Sequence, residues 1–114
     1  MVRRTTPVPR TVQRSLSELG EHLTTWRRLR NLTAEQVADR AGVSRGVIQR
    51  LEHGEGASLE NTLRITRALG VTDLILRALD PYSTDVGRLR AEEALPQRIR
   101  HTPVPNDTAS DTDA

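Results

Sequence analysis

Apolar residues recur along this chain at steps of three and four, in blocks separated by serine, threonine, glycine and proline. Leu16, Leu19, Leu23, Trp26 and Leu29 form the first block, a stripe along one side of a helix. Ser15 stands three residues ahead of Glu18, the spacing of a capping box, which predicts a first helix starting there and ending near Arg30 or Asn31. Thr33 and Gln36 repeat the box, Val37, Ala38 and Ala41 give a short stripe, and Gly42 supplies the left-handed residue that stops a second helix. Ser44 caps a third helix with Val47, Ile48 and Leu51 facing inward, closed by Gly54 and Gly56. Ser58 opens a fourth with Leu59, Leu63, Ile65 and Leu69, closed by Gly70. Thr72 caps a fifth from Asp73 to Leu79, which the Asp80-Pro81 pair ends. No segment calls for a strand, so the expected fold is all-α: a compact five-helix domain over residues 15–79.

The flanks read differently. Residues 1–14 hold Pro7, Pro9, several threonines and the arginines Arg3, Arg4, Arg10 and Arg14 without an acid, which predicts a flexible basic arm. Residues 80–100 form a C-terminal extension, with a short helix expected from about Thr84 to Leu95, weakened by Gly87 and ended by Pro96. Residues 101–114 are acidic, with three aspartates and no arginine, and are expected to be disordered.

Composition narrows the chemistry. The chain has 114 residues, one domain's worth plus tails. Without cysteine there is neither a disulfide framework nor a thiolate metal site. No apolar run nears the roughly 18 residues of a membrane span, and no signal-peptide segment opens the chain; the expected location is cytoplasmic, away from membranes. Every basic side chain is an arginine, a fork suited to phosphates and to the guanine edge. His22, His53 and His101 are scattered and no glycine loop cradles a phosphate, so neither an enzyme nor a cofactor is expected.

The segment from Thr33 to Gly54 carries the function. Two short helices meet through Ala41-Gly42-Val43-Ser44, where the glycine permits a sharp turn, Val43 plugs the angle and Ala38 is small at the closest approach. This is the layout of a helix-turn-helix, in which the second helix presents its N-terminal residues to the major groove. Over residues 16–79 the sequence resembles the lambda-repressor-like, or Xre-type, DNA-binding domains, down to the ending Leu51-Glu52-His53-Gly54. The resemblance implies double-stranded DNA as partner and places base contacts at Arg45, Gly46 and Arg50.

With Val47, Ile48 and Leu51 turned inward, Ser44, Arg45, Gly46, Gln49 and Arg50 remain outward. Arg45 and Arg50 diverge by about 140° on the helical wheel. Two readings stand for them: a bidentate contact to guanine, or contact with phosphates alone. Gly46 departs from a reading position by carrying no side chain, which admits close approach of the DNA backbone or a thymine methyl. Many relatives open the second helix with a glutamine for phosphate where this chain has Ala34, and Gln36 is expected to cap instead. Thr33 and the amides beside it can meet a phosphate. Arg40 and His53 sit at the rim, as phosphate contacts or as solvated charges, and the basic arm either tracks the DNA or stays unengaged.

One such domain spans few base pairs, so the partner expected is a palindromic operator bound by a homodimer. In the fifth helix Leu74, Ile75, Ala78 and Leu79 are expected to face the core and Leu76 to point away. Leu76 with Tyr82, Val86 and Leu89 forms a dimer or partner patch, unless the segment packs back on its own domain. Residues 80–100 resemble the extension of HipB-like antitoxins, which repress their own operon and restrain a HipA-like kinase. A stand-alone or phage-type repressor, or a helical protein-interaction module, are the alternatives.

Overall fold

The computed structural model describes residues 6–99. They form α1 (Arg10–Leu29), α2 (Ala34–Ala41), α3 (Arg45–Glu52), α4 (Leu59–Leu69), α5 (Thr72–Leu79), a 3-10 turn (Pro81–Ser83) and α6 (Asp85–Ile99), with no strand among the described residues. The expected acidic tail at 101–114, and Arg3 and Arg4 of the arm, lie outside the described residues. The chain divides into two compact units, one ending at Asp73 and one beginning at Leu74.

In the first unit α2, α3 and α4 begin and end where their punctuation says. Thr33 accepts the Gln36 amide while the Gln36 side chain accepts the Thr33 amide, a complete capping box. Ser44 and Ser58 cap α3 and α4 through the amides of Val47 and Asn61. Nine residues make the core: Leu23 from α1, Val37, Ala38 and Ala41 from α2, Ile48 and Leu51 from α3, Ile65 and Leu69 from α4, and Val71 just beyond. Thr66 is fully buried, and its hydroxyl is satisfied by the Leu63 carbonyl at 3.1 Å and the Thr72 hydroxyl at 2.9 Å. Thr72, expected to precede α5 as its cap, is the first residue of that helix.

Helix α1 starts five residues earlier than its expected box. Pro9 stands at its N-cap, the Gln13 amide donates to the Pro9 carbonyl at 3.0 Å, and Ser15 lies inside the helix with its hydroxyl bonded back to Thr11. Arg10 and Arg14, expected in a flexible arm, therefore stand on helical turns. The extension persists because Leu16 packs toward Gly56 and Gln13 Nε2 donates to the Gly54 carbonyl at 2.8 Å. Two leucines placed on inward stripes, Leu29 of α1 and Leu59 of α4, are exposed. Each occupies an end turn of its helix, beyond the reach of the core.

Helix α5 crosses the division between the units and buries none of its residues. Leu74, Leu76 and Leu79 are 47%, 58% and 76% exposed, Ala78 is exposed and Ile75 half-buried. Of the four residues expected to face the core, Leu74, Ala78 and Leu79 are thus exposed and only Ile75 is half-buried. In the second unit Thr84 caps α6 by accepting the Gly87 amide at 3.0 Å. Gly87 is a packing requirement here, because a Cβ would overlap the Pro81 carbonyl of the 3-10 turn. Arg88 pairs with Asp85 and donates to the Tyr82 carbonyl. Pro96 does not end α6, which runs on to Ile99; a proline deletes one backbone donor, and the helix resumes on its far side.

Candidate nucleic-acid interface

The turn between α2 and α3 is built by Gly42, whose φ of 73° is left-handed and whose amide donates to the Ala38 carbonyl at 2.9 Å. Val43 follows, half-buried against the core, and its amide also reaches the Ala38 carbonyl at 3.1 Å. Ile48 and Leu51 hold α3 on its inner side at 1% and 2% exposure, with Val47 half-buried beside them. The remaining face of α3 presents Ser44, Arg45, Gln49 and Arg50, all exposed, with Gly46 half-buried among them.

Gly46, Ser44 and Arg50 come together at the first turn of α3. A Cβ built on Gly46 would stand 3.3 Å from Arg50 Nη1 and 3.8 Å from Ser44 Oγ. Arg50 therefore arches back along the helix toward its N-terminus, the direction long helical side chains take. His53 closes α3, its ring Nδ1 2.7 Å from the Gln49 carbonyl, while Thr33 and Arg40 stand exposed at opposite ends of α2. Gln36 Oε1 accepts the Thr33 amide in the capping box, a bond that leaves the Nε2 hydrogens of the same side chain unused. Among the described residues Arg40, Arg45 and Arg50 enter no ion pair, whereas Arg27, Arg64 and Arg88 each do. Unpaired guanidinium groups on one helix-turn-helix leave their positive charge for an external anion.

A second set of residues, not foreseen from the chain, fixes α3 in place. Arg27 of α1 grips Glu52 at the end of α3 with Nε to Oε2 at 2.6 Å and Nη2 to Oε1 at 3.2 Å, while Nη1 donates to the Leu32 carbonyl at 3.0 Å. Hydrogen bonding to Glu52 holds Arg27 above its ordinary pKa against the opposing pull of burial. Gly20 lets the two helices touch: a Cβ there would lie 2.5 Å from the Leu51 carbonyl oxygen and 2.7 Å from that of Glu52. Arg30 stacks 5.1 Å from the Trp26 ring centroid and donates to the Leu69 carbonyl at 2.9 Å, tying α1 to the end of α4. The signal for Arg27 was present in the spacing, since it falls four residues past Leu23 on the buried stripe, where a charge needs a partner. Glycine at position 20, inside the same stripe, was a comparable sign of close approach.

Leu76, Tyr82, Val86 and Leu89 are exposed, at 58%, 52%, 68% and 58%. Among the described residues no cluster of side chains suited to a metal ion occurs, and no helix is long and apolar enough to cross a membrane.

A family model described as a helix-turn-helix domain covers residues 18–79, more than half of the chain. No curated protein and no solved structure matches. The matched stretch contains the Gly42 turn, α3 with its unpaired arginines, and the Arg27 to Glu52 grip. The chain belongs to this helix-turn-helix family, of the lambda-repressor or Xre-like kind, and is a DNA-binding protein.

Proposed function

We propose that the protein is a sequence-specific transcriptional repressor that binds a palindromic operator as a homodimer, with α3 in the major groove. The observation that carries this reading is the unpaired pair Arg45 and Arg50 on the outer face of a helix whose inner face is locked in the core. In this reading Arg45 and Arg50 address guanine edges. Ser44, Gln49 and Gly46 complete the groove-facing surface, and Thr33, Arg40 and His53 meet phosphates on either side.

The dimer is supported by the second unit, where Leu74, Leu76, Leu79, Tyr82, Val86 and Leu89 are all exposed large side chains in a short stretch. A second copy of the chain would cover such a surface, and two-fold readers of this kind address half-sites about 34 Å apart, one turn of DNA. The likeness of residues 80–100 to HipB-like antitoxins extends the reading to autorepression beside a HipA-like kinase, with the protein working in the cytoplasm on its own operon.

Selection of operators from a random duplex pool tests the proposal. The expected product is a two-fold symmetric element with guanine-containing half-sites a helical turn apart. Light scattering is expected to give a dimer that Leu76→Asp with Val86→Asp turns into a monomer. Retention of DNA without any enriched sequence overturns the regulator reading, and an unaltered mass in the double variant overturns the dimer surface. Co-purification with a co-expressed HipA-like kinase supports the antitoxin role, and its absence leaves a solitary repressor.

A further inference from the structure

Gly46 breaks the local rule for its place in the fold. It is the second residue of α3, where almost any other residue would favour the helix more than glycine. Its φ is not among the left-handed ones, so no turn demands it. Its neighbour explains it. The Arg50 guanidinium lies along the first turn of α3, with Nη1 only 3.3 Å from where a Cβ on residue 46 would be. Ser44, held in place by its cap to Val47, borders the same space at 3.8 Å. No acid among the described residues draws Arg50 there.

We propose that Gly46 is a positioning residue for Arg50, and through it a determinant of operator specificity. The bare backbone gives the guanidinium a seat beside the N-terminal turn, the part of a recognition helix that enters the major groove. Arg50 then works from the same end of α3 as Arg45, the first residue of the helix, in spite of their divergence on the wheel. The inference rests on the reading of α3 as the DNA-contacting helix. A bidentate contact to guanine O6 and N7 needs both N–H groups aligned. A methyl at residue 46 pushes Nη1 aside by a few tenths of an ångström, and on this proposal that shift is enough to weaken the alignment Arg50 needs for its guanine while leaving the fold unchanged.

The test passes wild type, Gly46→Ala, Arg50→Ala and the double variant through the same random-duplex selection, with thermal unfolding in parallel. Gly46→Ala is expected to melt at or above the wild-type temperature. It is expected to lose about tenfold of the guanine preference at one position of each half-site, the position that Arg50→Ala also flattens. In the Arg50→Ala background, alanine at position 46 is expected to change nothing. An equal loss with Arg50 absent would put the new methyl against the DNA itself and overturn the proposal, as would an unaltered preference in Gly46→Ala. Failure of the wild type to enrich any sequence refutes the operator reading and the positioning role with it, and shows before any variant is compared.

Discussion

Replacing Glu52 by alanine removes both oxygens that Arg27 grips and leaves a partly buried guanidinium with one remaining protein acceptor, the Leu32 carbonyl. The two side chains are only 16% and 15% exposed, far from the solvent-screened pairs whose loss costs about 0–1 kcal/mol. Breaking a fully buried pair costs about 3–5 kcal/mol; partial exposure and the surviving hydrogen bond place Glu52→Ala near 2–3 kcal/mol, roughly 10–20 °C in melting temperature for a domain of this size. The control is Glu60→Ala, whose partner Arg64 sits one helical turn away in a pair with 75% and 48% exposed side chains, and which is expected to cost under about 0.5 kcal/mol. Removing both charges with Arg27→Met and Glu52→Leu is expected to recover most of the loss, since no stranded charge remains. The sign of any pH effect follows from Arg27: its pKa is raised in the folded state, so its contribution is complete below the unfolded value and is lost only as pH climbs through the folded one. The gap between Arg27→Met and wild type is therefore expected to stay constant from about pH 6 to pH 9. Circular dichroism at the helix band follows each melt. A Glu52→Ala variant that melts like Glu60→Ala would refute the role assigned to the grip.

Other variants probe single contacts. Gly20→Ala improves helix propensity yet drives a methyl into the Leu51 and Glu52 carbonyls, and is expected to destabilise by about 1–3 kcal/mol in urea unfolding; a stabilised variant would contradict the close approach of α1 and α3. Gln13→Ala strands the Gly54 carbonyl and is expected to cost about 1 kcal/mol, seen as faster amide exchange in the first turns of α1, whereas unaltered exchange would show that the latch is idle. Gly87→Ala should strengthen α6 if propensity ruled, but overlap with the Pro81 carbonyl is expected to lower amide protection across Asp85 to Leu89; raised protection would disprove that packing.

The parts of the fold legible in the chain were those with local punctuation at both ends. Thr33 with Gln36 and Gly42, or Ser58 with Gly70, specify a start and a stop through contacts a few residues apart. Ser15 with Glu18 has the same spacing and no such meaning, because the chain ahead of it continues the helix as far as Pro9 and Ser15 bonds back to Thr11. Val12 extends the stripe ahead of Leu16 by one turn, and that periodicity, interrupted by no glycine, was the stronger signal. The outward residues of α3 could be read because its inner residues are few and unmistakable. What fixes α3 could not: Arg27 meets Glu52 across 25 positions and Gln13 meets Gly54 across 41, distances over which spacing shows that a partner is needed without saying which. Helix α5 misled for the opposite reason, since its leucines have helical period and the core is complete without them.

Binding of wild type, Arg45→Ala and Arg50→Ala to the enriched operator and to a scrambled duplex of the same length, at one fixed salt concentration, measures base readout directly. A guanine contact is worth about 1–3 kcal/mol, so at least one variant is expected to bind the operator about 5- to 150-fold more weakly while its affinity for the scrambled duplex falls far less. Equal losses on both duplexes for both variants would reduce these arginines to phosphate contacts and contradict sequence reading by α3.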